Sequence, residues 1–102
     1  MINQDYSKHF DYIKNTEEKL SELYNNAKVN FGSEILKSNI NKIYTKISVQ
    51  IIELNSRLKS GNIIKETEWN KYISTIDMLL QEMQDHINQQ MSIVLSHNNL
   101  RQ

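Results

Sequence analysis

The fold is decided by residues 57–69, which read RLKSGNIIKETEW. Lys59 and Gly61 form a typical helix ending, because a basic residue suits the last turn and glycine commonly follows it. Glu66 suits the first turn of a new helix, where a carboxylate interacts favourably with the helix dipole. Gly32 is the one other glycine among 102 residues, and there is no proline. The two glycines therefore predict three long helices joined by short turns.

Each predicted helix carries one apolar face with the three-and-four spacing of an amphipathic helix. We predict helix 1 at about 4–31, helix 2 at about 34–60 with Ser33 as its N-cap, and helix 3 at about 66–97. Helix 2 repeats every eleven residues, which favours a nearly straight path over a long left-handed coiled coil. The three series are Tyr6, Phe10, Ile13, Glu17, Leu20, Tyr24, Ala27 and Phe31; Leu36, Ile40, Ile43, Ile47, Ile51, Leu54 and Leu58; and Trp69, Ile73, Ile76, Leu80, Met83, Ile87, Gln90 and Val94.

Short turns make consecutive helices run antiparallel, so the sequence predicts an all-α, up-down-up antiparallel three-helix bundle. We expect it to form a single domain over residues 1–102. Taking each turn as a mirror point places Ala27 level with Ile40 and Ile87, one small side chain facing two branched ones. Ile63 or Ile64 is expected to fold back onto the end of helix 2. Self-association of the bundle stays an open alternative.

The composition indicates a small protein with balanced charge. Twelve basic and twelve acidic residues give a net charge of zero, which argues against a dedicated nucleic-acid or membrane binder. No apolar run approaches the roughly 18 residues of a membrane span, and the first ten residues do not resemble a signal peptide, so we expect a cytoplasmic protein. Thirteen asparagines, fourteen isoleucines and one alanine are typical of an AT-rich coding source, such as a bacterium or its phage.

The titratable residues do not form a recognisable catalytic or metal-binding pattern. Cysteine is absent, which excludes disulfides and thiolate sites. The histidines are far apart in the sequence, and a metal site needs three or four converging ligands. We predict no metal and no cofactor. The sequence contains three histidines, His9, His86 and His97, of which His86 has Glu82 and Gln90 one turn away on either side.

Glu17 is the one acidic residue on a predicted core face. Burial would raise the pKa of its carboxyl group, so an acid catalyst is one alternative. The alternative we favour is a carboxylate that extends to water or to Gln50 and sets the register of the helices. No glycine-rich phosphate loop or serine nucleophile turn is present. We therefore predict a protein that is not an enzyme and has no small-molecule substrate; an enzyme using Glu17 or His86 is the remaining enzymatic alternative.

Several apolar residues are left over once the core faces are assigned. Val49 and Ile52 point away from the apolar line of helix 2, and three residues of helix 3 recur every seven positions beside its core face. They either widen the core or form a contact surface for a second copy or a partner helix. This candidate surface comprises Val49, Ile52, Tyr72, Leu79 and Ile93.

The sequence thus predicts a non-enzymatic protein that acts through protein–protein contact, as an inhibitor, immunity factor, secretion chaperone or adaptor. In size and helical composition it resembles bacteriocin immunity proteins and bacterial secretion chaperones, a resemblance of class that carries no residues across. The alternative is a nucleic-acid-associated regulator that contacts phosphates through helix 2, because residues 32–61 sum to a charge of +3. The basic residues of helix 2 are Lys37, Lys42, Lys46, Arg57 and Lys59.

Overall fold

The chain folds as an up-down-up bundle of three α-helices, as predicted. The structure is a computed structural model that describes residues 7–32, 38–61 and 63–100, with side chains described as far as Leu95. The helices are α1 (Ser7–Phe31), α2 (Asn39–Lys59) and α3 (Glu66–Leu100). The molecule is a rod of 69 × 20 × 17 Å.

The turns use both glycines in the left-handed backbone conformation. Gly32 has a φ of 68° and Gly61 a φ of 77°, values that residues with a Cβ adopt only with strain. At the second turn the Gly61 N–H donates to the Leu58 carbonyl at 3.3 Å, which satisfies a carbonyl in the last turn of α2. Ile64 then folds back and is 5% exposed, whereas Ile63 is 69% exposed. Of the two alternatives for this contact, Ile64 is therefore correct.

The start of α2 differs from the prediction of about residue 34. Ser38 has an extended backbone, with φ −88° and ψ 170°, and is the N-cap of a helix that begins at Asn39. Serine is favoured at this position, and the Lys42 N–H donates to the Ser38 carbonyl at 3.4 Å to close the first turn. Residues 33–37, which include the predicted cap Ser33, and residues 4–6 lie outside the described residues. The start of α3 at Glu66 agrees with the prediction.

The core follows the predicted apolar faces closely. α2 buries six residues, and α3 contributes the side chains that face them. Ala27 is fully buried, and Ile40 and Ile87 are also buried, as their predicted common layer requires. The buried apolar residues are Ile13, Leu20, Ala27, Ile40, Ile43, Ile47, Ile51, Leu54, Leu58, Ile64, Ile76, Leu79, Leu80, Met83 and Ile87.

Four predicted core positions were wrong: Glu17 and Gln90 are exposed, and so are Phe10 and Val94, at 40% and 37%. Glu17 is exposed, and Thr16 occupies the buried position between Ile13 and Leu20. Both residues fit the three-and-four spacing, but rotating α1 to bury threonine avoids the cost of removing a carboxylate from water. The Glu17 carboxylate accepts a hydrogen bond from the Asn55 amide at 3.3 Å rather than from Gln50.

We predict that Ala27→Leu lowers the free energy of unfolding by about 1–3 kcal/mol, because a larger side chain overpacks a fully buried position. A denaturant melt followed by circular dichroism measures the change. Glu22→Leu, at an exposed position of the same helix, is the control and should alter stability far less. If Ala27→Leu were as stable as the wild type, the layer around Ala27 would have room for a larger side chain, which would contradict the close packing in the structure.

Candidate functional site

The five residues of the predicted contact surface separate into two groups. Val49, Ile52 and Ile93 are 53%, 67% and 54% exposed, respectively. Leu79 is 8% exposed and belongs to the core. Tyr72 is half-buried and packs against the core. The prediction of an exposed surface was therefore wrong for Leu79, and both Leu79 and Tyr72 widen the core, because α2 covers the side of α3 on which they lie.

Tyr72 belongs to a polar network that joins α2 to α3. Its hydroxyl donates to the Glu53 carboxylate at 2.7 Å. The Arg57 guanidinium donates to the Glu68 carboxylate at 2.8 Å and lies 6.0 Å from the centre of the Tyr72 ring. The hydrogen bond from Arg57 lowers the pKa of Glu68, and burial followed by the hydrogen bond to Glu53 raises the pKa of Tyr72. These contacts fix the register of two antiparallel helices and border an open groove between them of about 390 Å³, whose lining also includes Gln50, Lys71 and Thr75.

The groove between α1 and α2 is different, because apolar side chains line its floor and one rim. It has a volume of about 360 Å³. Ile52 stands at its rim, and Val49 lies one turn earlier on the outer side of α2. The lining residues are Leu20, Tyr44, Ile51 and Ile52, with Glu17, Ser21, Ser48 and Asn55 between them. We call this groove, with Val49, the α1–α2 surface.

Sequence patterns alone identified only Val49 and Ile52 of the α1–α2 surface. Leu20 and Ile51 were assigned to the core, where they also belong. Tyr44 was missed, and its ring packs at 4.2 Å between centroids against the ring of Tyr24. The sequence did contain a sign that Tyr44 borders this groove. Tyr44 directly follows the core residue Ile43, so it lies one step around the helix from the core face, on the side toward α1.

The charges beside the α1–α2 surface are acidic on one side. Glu17, Glu18 and Glu22 of α1 line a shallow depression next to the groove. The outer side of α2 that faces it is largely uncharged, with Thr45, Ser48, Val49, Ile52, Asn55 and Ser56. An apolar partner with basic flanking residues would therefore meet complementary charge on the α1 side.

The basic residues of helix 2 do not form one continuous surface. Arg57 is paired with Glu68. Lys42 and Lys46 lie one turn apart, and Glu53 follows Lys46 by seven residues on the same side of the helix. Lys37 lies outside the described residues. The structure thus provides two adjacent lysines rather than the row of cations that phosphate binding favours.

The first turns of α1 and α3 meet in an aromatic cluster. The ring centroids of His9 and Trp69 are 4.0 Å apart, and those of Tyr12 and Trp69 are 5.5 Å apart in an edge-to-face arrangement. The Tyr12 hydroxyl donates to the Asp77 carboxylate at 2.9 Å. Burial, the hydrogen bond to Asp77 and the charge of Asp77 raise the pKa of Tyr12 to about 12. Burial lowers the pKa of His9.

The other titratable residues considered from sequence are dispersed. His86 is half-buried on α3 and Glu17 is exposed on α1. Among the described residues, no group of three or more His, Asp or Glu side chains is placed to hold a metal ion. Within the same residues, no helix combines the length and the apolar character that crossing a membrane requires.

Comparison with protein-family models, with curated proteins and with solved structures found no match to this chain. The exposed apolar residues and the grooves therefore carry the functional argument.

We predict that stability falls as the pH is lowered from about 7.5 to about 5.5, in part through His9. Its pKa in the folded chain lies below the unfolded value of 6.5. Below pH 6.5 the unfolded chain therefore takes up this proton before the folded chain does, which favours unfolding. Above that value both states are neutral at His9 and the effect vanishes.

Melting temperatures of the wild type and of His9→Gln, measured across this pH range, test the prediction. The variant should show a smaller loss of stability than the wild type. Trp69 is the single tryptophan and lies against His9, so its fluorescence should also change, with a midpoint below 6.5. A midpoint at or above 6.5 would contradict the lowered pKa.

Proposed function

We propose that this chain is a non-enzymatic protein that acts through protein–protein contact at the α1–α2 surface. The observation that carries the proposal is the pair Val49 and Ile52, 53% and 67% exposed, beside a groove whose floor is made by core residues. A single exposed aliphatic residue is ordinary on a protein surface. Two of them, one turn apart and continuous with an apolar groove, form a surface that a partner can cover.

The shape of this surface suits a helix. The groove runs between two packed helices, and an amphipathic helix lays its apolar side chains into such a groove at intervals of three and four residues. Each methylene group that such a partner buries contributes about 0.8 kcal/mol. Tyr44 on the groove wall adds a rigid aromatic contact of the type enriched in binding hot spots.

The acidic residues beside the groove indicate which charges the partner should carry. Glu17, Glu18 and Glu22 border the groove on the α1 side, so lysine or arginine residues flanking the apolar face of the partner are favoured there. The proposed partner is therefore a protein segment with an apolar helical face and a basic flank. An inhibitor, immunity factor, secretion chaperone or adaptor of bacterial or phage origin would use such a contact. The cytoplasmic location expected from the sequence stays a prediction, as does the nucleic-acid alternative.

We predict that Ile52→Glu lowers affinity for the partner at least about tenfold and leaves helicity and melting temperature close to wild type. A buried, unpaired carboxylate costs binding energy, whereas an exposed position contributes little to folding. The partner is first isolated from the native host with the wild-type chain, and its affinity for each variant is then measured by titration calorimetry.

Val29→Glu is the matched control, because Val29 is 84% exposed but does not line the groove. Ile47→Glu is the opposite control and should unfold the chain, since Ile47 is fully buried. Equal affinity of the wild type and Ile52→Glu would remove the α1–α2 surface from the proposal. A steep loss of affinity with rising salt, together with a nucleic-acid partner, would favour the alternative instead.

A further inference from the structure

The longest helix continues past both of its neighbours. α3 has 35 residues, compared with 25 in α1 and 21 in α2. The pairs Arg57–Glu68 and Glu53–Tyr72 define the antiparallel register of α2 and α3. Extending that register by equal rises places the first residue of α2 level with about residue 86 of α3.

The register of α1 sets the other boundary. α1 runs parallel to α3, with His9 beside Trp69 and Tyr12 beside Asp77. Equal rises then place the end of α1 level with roughly residues 91–96 of α3. The last turns of α3 therefore have α2 beside them only as far as about residue 86, and α1 for a few residues more.

The apolar lines of α3 nevertheless continue into these turns. Ile93 lies fourteen residues after Leu79 and twenty-one after Tyr72, with His86 at the intervening position of the repeat, on the side of α3 that α2 covers earlier. Val94 continues the core line through Ile87, and Leu95 lies toward the α1 side. Ile93, Val94 and Leu95 are 54%, 37% and 56% exposed. Exposed apolar residues on adjoining faces of a helix form a surface that another chain can cover, and among the described residues α2 and α1 end before these turns do.

The same stretch carries no formal charge. Residues 86–100 contain no Asp, Glu, Lys or Arg, and the polar positions are Ser, His, Asn and Gln. Amide side chains both donate and accept hydrogen bonds, so two identical stretches can pair without repulsion between like charges. A highly charged partner, in contrast, finds no complementary charge here.

We propose that the end of α3 is a dimerisation surface, on which Ile93 and Val94 pack antiparallel against the same two residues of a second copy. A two-fold interface requires a surface that complements itself, and a neutral apolar turn flanked by amides does so. Each copy supplies on this face the apolar cover that α2 provides earlier along α3. This inference rests on the proposed protein–protein role only because it names a second copy of the chain as one partner. The residues of the dimerisation surface are separate from those of the α1–α2 surface.

The geometry of this dimer is distinctive. Pairing the final turns end over end leaves the two bundles on opposite sides of the contact, so the dimer is a longer rod. With 69 Å for one copy and an overlap of three to four turns, its length is roughly 120 Å. Pairing of so few turns buries less than about 1,200 Å², at the low end for specific interfaces, so the dimer dissociates on dilution.

Analytical ultracentrifugation across a concentration series, combined with small-angle X-ray scattering, tests the proposal on the full chain. The wild type should form a dimer of roughly 120 Å whose dissociation constant changes little with salt, because residues 86–100 carry no formal charge. Ile93→Glu should raise that dissociation constant at least about tenfold, because dimerisation buries two unpaired carboxylates. Ser74→Glu introduces the same charge at an exposed position of α3 outside these turns and should have no effect.

Cysteine cross-linking supplies a second test that does not depend on introducing a charge. The chain has no cysteine, so Val94→Cys carries a single thiol close to the proposed two-fold axis and should form a disulfide-linked dimer on mild oxidation. Met78→Cys, at a position 62% exposed on α3, should remain largely uncross-linked.

A monomer at every concentration, a dimer of about 70 Å with helices side by side, or equal cross-linking of the two cysteine variants would each overturn the proposal. Ile52→Glu should leave the dimer intact. If Ile52→Glu loses partner binding but Ile93→Glu has no effect on self-association, only the dimer proposal is contradicted. If Ile93→Glu weakens self-association but Ile52→Glu binds the partner normally, only the α1–α2 surface is contradicted.

Discussion

The isoleucine-rich face of α2 is the surface against which both other helices pack. All six of its buried residues, four of them isoleucine, are at most 6% exposed. Isoleucine strongly prefers one χ1 rotamer in a helix, so this face has a nearly fixed shape before its neighbours arrive. The single alanine of the chain then faces it at position 27, where α1 approaches closely. The placement of both outer helices depends on this rigid middle layer.

The periodicity of the sequence predicted the helices and most of the core because burial and helical repeat are tightly coupled. It did not predict which of Thr16 and Glu17 is buried, since both fit the spacing and the rotation of α1 decides between them. It also placed the start of α2 at about residue 34 rather than at Asn39, because serine is a favoured N-cap residue and stands at both position 33 and position 38. Local patterns are degenerate at these positions, and tertiary packing resolves them.

The candidate site was less predictable than the fold. Val49 and Ile52 were identified as surplus apolar residues, but the groove beside Ile52 arises from the distance and rotation between two helices. Leu79 and Tyr72 appeared equally surplus, yet the width of the α2–α3 contact covers Leu79 and half-covers Tyr72. A periodic pattern predicts which way a helix face points but says little about how wide the buried part of that face is. The exposed fraction of each side chain therefore depends on how the three helices pack together.

The unequal burial of the three helices has a consequence for how the protein opens. α1 buries four residues, of which only Ile13 and Leu20 are large and aliphatic, and half-buried side chains make its remaining apolar contacts. α2 and α3 share the broader core and the Arg57–Glu68 and Tyr72–Glu53 contacts. We therefore expect the α2–α3 hairpin to be the more stable cooperative unit, and α1 to separate from it at a lower free energy than global unfolding requires. We expect amide protons in the middle of α1 to exchange with solvent faster than those in the middle of α2, and the surface that α1 leaves behind is an apolar trough already shaped to receive a helix.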